Sequence, residues 1–310
     1  MRKFELTCQP RFSNDPEYAK FLNIIRKGRP TAAEIAHYLG EVRHITKVEA
    51  KQLVSDKIQA LCSHRKDVSE YNEAALVNAF SALQRVDVPL LHNLNAQQAA
   101  TPILKKWLEN SNFWNIKQIA IGARVALTNN IDISNGATNG STGVVQALEY
   151  FMPRVAQEDD DEAYDGADLR NTHWWGAEKG GEKVVFTDLS DVPKEGVLLA
   201  VHVRLDGEEG PNLLRITRSH FKRKYGTVAC RDTFIKSTFP LTLAYSMTGH
   251  RSQGATIEGD VIIDVASAFS PGLLYVMLSR IKKRSQLRIV GRLTPDMFDP
   301  ILINMHAFNE

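Results

Sequence analysis

Val261-Ile262-Ile263-Asp264-Val265 is an almost unbroken apolar run with the length of one strand. A strand that is apolar on both sides needs cover on both faces, and the sheets built from such strands are parallel, with helices as crossovers. That run therefore confines the chain to an α/β fold. Its flanks agree. Leu243 to Gln253 reads as a helix ended by Gly254, a residue suited to the left-handed position after a C-cap. Downstream, Ser270 offers an N-cap and Pro271 the first helical position, predicting a helix over 271–281 that ends in Arg280, Lys282, Lys283 and Arg284. Leu287-Arg288-Ile289-Val290 then closes an αβαβ unit as a second strand.

The first residues carry the same grammar. Tyr18, Phe21, Leu22, Ile24 and Ile25, then Ile35, Ala36, Tyr38 and Leu39, predict two short helices separated by Gly28-Arg29-Pro30, with Thr31 and Glu34 at capping-box spacing. Lys57 to Cys62 reads as a buried strand. Lys66 to Phe80 reads as an amphipathic helix with Val68, Tyr71, Ala75, Leu76 and Ala79 on one side. From Ile119 the period changes to that of strands, at 123–128, 143–148, 183–187, 197–205 and 213–217, with an Asn- and Gly-rich loop between the first two. Short strands at meander spacing predict a small β-barrel or sheet inserted between α/β parts, giving 1–118, 119–235 and 236–310 as the divisions. Within the insert, Gln157 to Glu162 opens an acidic, apolar-poor stretch read as a flexible loop over 153–182. His173-Trp174-Trp175 beside it either stacks bases or packs the base of the loop.

Composition excludes more than it selects. The 310 residues carry 43% hydrophobic and 24% charged side chains, enough for a sizeable core, and a net charge of +2 announces no polyanion partner. Cys8, Cys62 and Cys230 form no metal-binding pair or disulfide framework, which points to a reduced, intracellular setting. No run approaches the roughly 18 apolar residues of a spanning helix, so no membrane partner is expected. Asp264 resembles a magnesium carboxylate by position, yet no Glu follows it and no G-x-x-x-x-G-K-[ST] phosphate loop precedes it. It reads as structural, and no metal ligand is assigned.

Two short blocks carry the chemistry. Ala244-Tyr245-Ser246-Met247-Thr248-Gly249-His250-Arg251-Ser252-Gln253-Gly254-Ala255-Thr256 and Tyr275-Val276-Met277-Leu278-Ser279-Arg280 resemble motifs V (A-x-A-x-T-x-H-K-S-Q-G-x-T) and VI (Y-V-A-L-S-R) of the PIF-type DNA helicases of superfamily one, Helitron-type helicases included. Ile121 to Asn130 with Asn139 to Val145 is similar to the family segment that enters its inserted barrel. Leu6-Thr7, Arg11, Asp15 to Tyr18 and Ile25 to Gly28 are similar to motif IV and its helix. The resemblance covers nearly the whole chain outside the acidic loop. It departs at Phe12, where Gln is usual, at Gly249, where an apolar residue is usual, at Arg251 for Lys and at Met277 for Ala.

The resemblance implies the second RecA-like lobe of an ATP-dependent 5′-to-3′ helicase with an inserted β-barrel, working in repair, recombination or transposition. The nucleus is the implied compartment, with mitochondrion and cytoplasm left open. Arg280 would be the arginine finger and Arg11 a second γ-phosphate contact. Gln253, Gly254 and Tyr275 would lie at the nucleotide, and His250, Arg251 and Thr256 toward single-stranded DNA. A separate basic cluster, Arg218, Lys222, Arg223 and Lys224, reads as a solvated face or as a track for the phosphodiester backbone. ATP and Mg²⁺ would be held mainly by a first lobe that these residues do not encode, so the chain by itself is expected not to hydrolyse ATP. A non-catalytic DNA- or protein-binding remnant of such a helicase is the competing expectation.

Overall fold

The computed structural model describes residues 12–94, 96–109, 116–153, 181–188, 196–207, 213–227, 230–266 and 272–298. The chain first forms α1 (Pro16–Lys27), α2 (Ala32–Leu39), β1 (Arg43–Ile45), α3 (Lys47–Leu53), β2 (Ile58–Cys62) and α4 (Arg65–Ala79). It continues with β3 (Val86–Asp87), β4 (Leu91–His92), α5 (Ala96–Ala100), α6 (Pro102–Glu109), β5 (Gln118–Ile119), β6 (Arg124–Leu127) and β7 (Thr142–Pro153). Next come β8 (Gly181–Phe186), β9 (Val197–Leu205), β10 (Leu214–Thr217), β11 (Ser219–Thr227), β12 (Cys230–Thr238) and β13 (Leu241–Leu243). The last elements are β14 (Ser246–Thr248), β15 (Asp260–Asp264), α7 (Leu273–Leu278) and β16 (Leu287–Val290). Two compact units result: Met1–Ala79 with Tyr245–Glu310, and Phe80–Ala244.

In the first unit, β1-β16-β15-β2-β14 form a five-stranded sheet, parallel throughout. The apolar run fills β15, whose Val261, Ile262, Ile263 and Asp264 are all buried, as burial on two faces requires. One core joins Tyr18, Phe21 and Leu22 of α1, Ile263 and Ile289 of the sheet, and Leu274, Met277 and Leu278 of α7. Helix α1 starts at Pro16 after an Asp15 cap that accepts from the Tyr18 amide, and the Thr31–Glu34 capping box starts α2 as expected. The Tyr18 hydroxyl, fully buried, donates to the Leu278 carbonyl at 2.6 Å and so satisfies an acceptor that the short α7 leaves open. Helix α4 packs against β2 and β14. From it the Tyr71 hydroxyl donates to Asp264 at 2.9 Å, while the Ala266 amide donates to the other carboxylate oxygen, so Asp264 is held as a structural residue.

The second unit is antiparallel. Its main sheet runs β10-β9-β7-β6-β13 with β8 on β7, and a second sheet runs β11-β12-β4. Only Arg218 separates β10 from β11, and only Phe239-Pro240 separates β12 from β13, so two strands pass from one sheet into the other. The Asn/Gly loop does join β6 to β7, and Asp132 organises it by accepting from Ser134 and Asn135. On β7, buried Glu149 receives two hydrogen bonds from Arg215 and lies against His202. The Arg215 guanidinium holds that carboxyl below the ordinary glutamate range.

Three expectations need correction. Residues 243–253 are not a helix: Leu243 ends β13, Ser246–Thr248 is a strand, and a turn follows. The spacing of Leu243, Ala244 and Met247 mimics a helical stripe, but the open edge of β2 selects the extended form. The units divide at 80 and 244 rather than at 119 and 235, because β4 pairs with β12, β3 with β5 and β13 with β6. The basic stretch after Arg218 is a nine-residue strand, β11, that the strand pattern from Ile119 onward does not include. Arg11, Cys8, the acidic loop beyond Pro153, His173-Trp174-Trp175 and the Ser270-Pro271 cap lie outside the described residues.

The insert returns the chain to β14 at one point. The Asn72 carboxamide oxygen, on buried α4, accepts from the Tyr245 amide at 3.0 Å and the Ser246 amide at 2.8 Å. Asn72→Ala leaves both buried donors without that acceptor and is expected to lower unfolding free energy by about 2 kcal/mol, read by urea denaturation. A change under about 0.5 kcal/mol would show that the clamp contributes little.

Candidate functional site

The strand β14 places Thr248 at the carboxyl end of the parallel sheet, where ligands bind in open α/β folds. The Gly249 amide then donates to the Cys62 carbonyl at the end of β2, which fixes the exit direction. A compact turn follows. The Ser252 amide donates to the Thr248 carbonyl, the Gln253 amide to His250 and the Ala255 amide to Ser252. Ser252 is fully buried, and its hydroxyl donates to the Gly249 carbonyl at 2.7 Å. Gly254 has φ +83°, a left-handed position that glycine adopts without strain, though it lies in this turn and not after a helix.

These bonds sort the predicted site residues. His250, Gln253, Gly254 and Thr256 are exposed, while Ser252 and Ile257 turn inward. Arg251 is half-buried, and burial holds its guanidinium below the usual arginine range. Tyr275, on α7, lies half-buried with its ring against the core.

Arg280 ties the two blocks together. Its Nε donates to the Val276 carbonyl at 2.8 Å and its Nη2 to the Ser279 hydroxyl at 2.7 Å. Nη1 reaches the Ser252 carbonyl at 3.3 Å and the Ala255 carbonyl at 3.2 Å, on either side of Gln253-Gly254. The Arg280 carbonyl also accepts from the Ile257 amide. The guanidinium thus faces the Gly254 turn and not the apolar core. The motif strings contain Ser252 and Ser279 without giving them a role; only the hydrogen bonds reveal one. Asn72 left a fainter trace, a polar residue on the buried face of an amphipathic helix.

Two of the departures from the family pattern meet in space. A side chain at Gly249 would bring its Cβ within 2.7 Å of Leu273 Cδ1 and of Met277 Cγ. Met277 occupies the volume that an apolar residue at 249 would need. Phe12 is likewise an apolar packing residue, edge-on to Tyr18 at 6.2 Å.

The basic cluster lies in the other unit and does not act as one face. Arg218 is 8% exposed, donates to the Pro89, Leu198 and Ser237 carbonyls and lies over the Phe239 ring at 4.6 Å. Burial brings its pKa down to about 10. It serves the corner where β10 turns into β11, which corrects its assignment to DNA. Along β11 the alternation sends His220, Lys222 and Lys224 to an exposed side, while Arg223, half-buried, shares the other side with Tyr225.

Among the described residues no group of three His, Cys, Asp or Glu side chains is placed to hold a metal ion. Among them also, no helix is long and apolar enough to cross a membrane. Exchange of volume between 249 and 277 is testable. Gly249→Val is expected to destabilise by about 1–3 kcal/mol through overpacking. Adding Met277→Ala should recover much of that loss, so that the double mutant is more stable than the sum of the singles by about 1 kcal/mol or more. Strict additivity would break the link between the two positions.

Comparison with known proteins supports the motif reading. No protein-family model matches the chain. The ATP-dependent DNA helicase PIF1 of Danio rerio is 26% identical over 299 residues, 94% of this chain and 35% of that protein. A Pif1 helicase of Bdellovibrio bacteriovorus is 47% identical over 53 residues, 17% of this chain. In fold, Bacteroides Pif1 bound to ssDNA matches with a TM-score of 0.60 at 21% identity, covering 96% of this chain and 54% of that one. The Pif1 helicase of Candida albicans matches at 0.59 and 18%, covering 96% and 58%. The chain spans about a third of the length of the zebrafish relative. In sequence the chain is thus similar to PIF1-type DNA helicases over nearly all of its length, and it shares its fold with solved Pif1 structures.

Proposed function

We propose that this chain is the C-terminal part of an ATP-dependent DNA helicase, supplying an arginine finger and part of a single-stranded DNA track to a nucleotide site whose phosphate loop lies elsewhere. The observation that carries the reading is the placement of Arg280. Its charge faces a turn at the carboxyl end of a parallel sheet, and it is bonded to both flanks of Gln253-Gly254. An arginine needed only for stability would have no use for an exposed Gln-Gly pair beside it. The relatives named above are ATP-dependent helicases, and one of the matching structures, a Bacteroides Pif1, holds ADP-AlF3 and ssDNA.

In this reading each residue has a physical task. Arg280 stabilises charge that develops on the γ-phosphate, while Gln253 and Gly254 carry that contact to the turn. His250, Arg251 and Thr256 serve the single-stranded DNA, and Arg11 is a second phosphate contact. The inserted unit corresponds in this reading to the family's small barrel, and its two sheets are continuous in chain where β10 runs into β11 and β12 into β13. On it, His220, Lys222 and Lys224 form the row that follows a phosphodiester backbone.

Joining the chain to a first-lobe polypeptide from a PIF1 relative is expected to restore DNA-stimulated ATP hydrolysis. Arg280→Ala should then lower kcat by about 10³-fold or more. Arg280→Lys should not rescue it, since a point charge cannot replace the planar fork. Hydrolysis that survives Arg280→Ala would leave the DNA-binding remnant as the better account.

The basic strand makes a separate prediction for the chain alone. With an oligo-dT probe, the Lys222→Ala/Lys224→Ala double variant should reduce the slope of log K against log salt by about 1.4, or about 0.7 for each phosphate that is no longer neutralised. Arg218→Met should leave that slope unchanged while lowering the melting temperature. An unaltered slope in the double lysine variant would rule out this face as a DNA track.

A further inference from the structure

We propose that Ser279 is the positioning residue of Arg280. Its hydroxyl sets the plane in which the guanidinium is presented, and this assignment rests on reading Arg280 as the nucleotide-sensing arginine.

A serine hydroxyl has one hydrogen, and here it goes to the Val276 carbonyl at 2.9 Å. The oxygen's lone pairs are then left to accept, and they meet Arg280 Nη2 at 2.7 Å. Arg280 Nε donates to the same Val276 carbonyl at 2.8 Å. Val276 lies in the last turn of α7, a helix of six residues, where carbonyls near the end turn to side-chain donors. One carbonyl therefore anchors both the hydroxyl and the guanidinium, and the three groups form a closed, directional set. Ser279 is 5% exposed, so water does not compete for its oxygen.

The lengths decide which bonds hold and which give way. On the α7 side they are 2.7 and 2.8 Å, and on the turn side 3.2 and 3.3 Å. The α7 arm is the shorter, better-formed pair. The turn arm, spread over two carbonyls, is the one a phosphate oxygen exchanges. Ser279 thus keeps the guanidinium in register with α7 while Nη1 turns from the 252–255 carbonyls to a ligand.

Removing the hydroxyl changes no charge and touches no ligand, so its effect separates from that of Arg280. In the full chain, ¹⁵N-detected exchange of the Arg280 Nε–H should quicken roughly tenfold in Ser279→Ala, and Ser279→Thr should restore it. In the pair with a first-lobe polypeptide, Ser279→Ala should lower kcat by about 10- to 100-fold with KM for ATP within about twofold, as misalignment of a bound group does. Ser279→Thr should recover kcat, and Ser279→Ala should add nothing in an Arg280→Ala background. Wild-type exchange and kcat in Ser279→Ala, with Arg280→Ala inactive, would overturn the positioning and leave the finger standing. Loss of melting temperature with no change in exchange would likewise reduce Ser279 to a packing residue. Hydrolysis that persists in Arg280→Ala would remove the nucleotide role and this assignment with it.

Discussion

The site depends on the clamp that Asn72 places on the returning chain. Strands β2 and β14 are neighbours in space, yet the whole second unit separates them in sequence, so closing that loop carries an entropic cost that local propensity cannot offset. Two amide donors into one buried carboxamide fix the first residues of β14. From there the register with β2 sets Thr248, the Gly249 amide meets the Cys62 carbonyl, and the 249–255 turn has one place to form. Without that entry point the residues of the first motif block would be a loop with no fixed relation to α7. Burial around the clamp is tight: the Cys62 thiol beside it is pushed up to about 12, so it behaves as an apolar filler and not as a nucleophile.

What the sequence made legible follows from how locally each feature is determined. The Thr31 cap, the buried face of α4 and the apolar β15 depend on residues within one or two turns, and they form where those residues place them. Strand β14 was not legible. Three residues inside a pattern of buried side chains have no period of their own, and only the neighbouring strand makes them extended. The hairpin β11–β12 failed for a related reason: a run of arginines and lysines obscured the alternation that sends Lys222 out and Arg223 to the other side. Arg218 looked like its basic neighbours, and its burial depends on carbonyls brought from 89, 198 and 237.

Of the site itself, the two motif blocks come together, with Arg280 bonded on either side of Gln253-Gly254, because both blocks flank the same parallel strand. Their bonding partners were another matter. A motif string gives residue types, and it cannot say that the Ser252 carbonyl, and not its hydroxyl, meets Arg280. Nor does it show that buried serines in both blocks direct their hydroxyl hydrogens to their own backbone, which lets each brace a turn.

The departures from the family pattern point to how such a site tolerates change. Gly249 and Met277 each look like a weakening when taken alone: one removes a side chain from a strand end, the other puts a larger one on the helix that carries Arg280. They face each other, and the methionine fills what the glycine leaves. Because cores are close-packed, the quantity to conserve is the volume between the turn and α7, not the residue at either position. Keeping that volume keeps the separation between the 252–255 carbonyls and the guanidinium, which hydrogen bonds already 3.2 and 3.3 Å long could not tolerate drifting by much. A pairwise exchange there therefore leaves the geometry of Arg280 intact, whereas either change alone would shift α7 against the turn it reads.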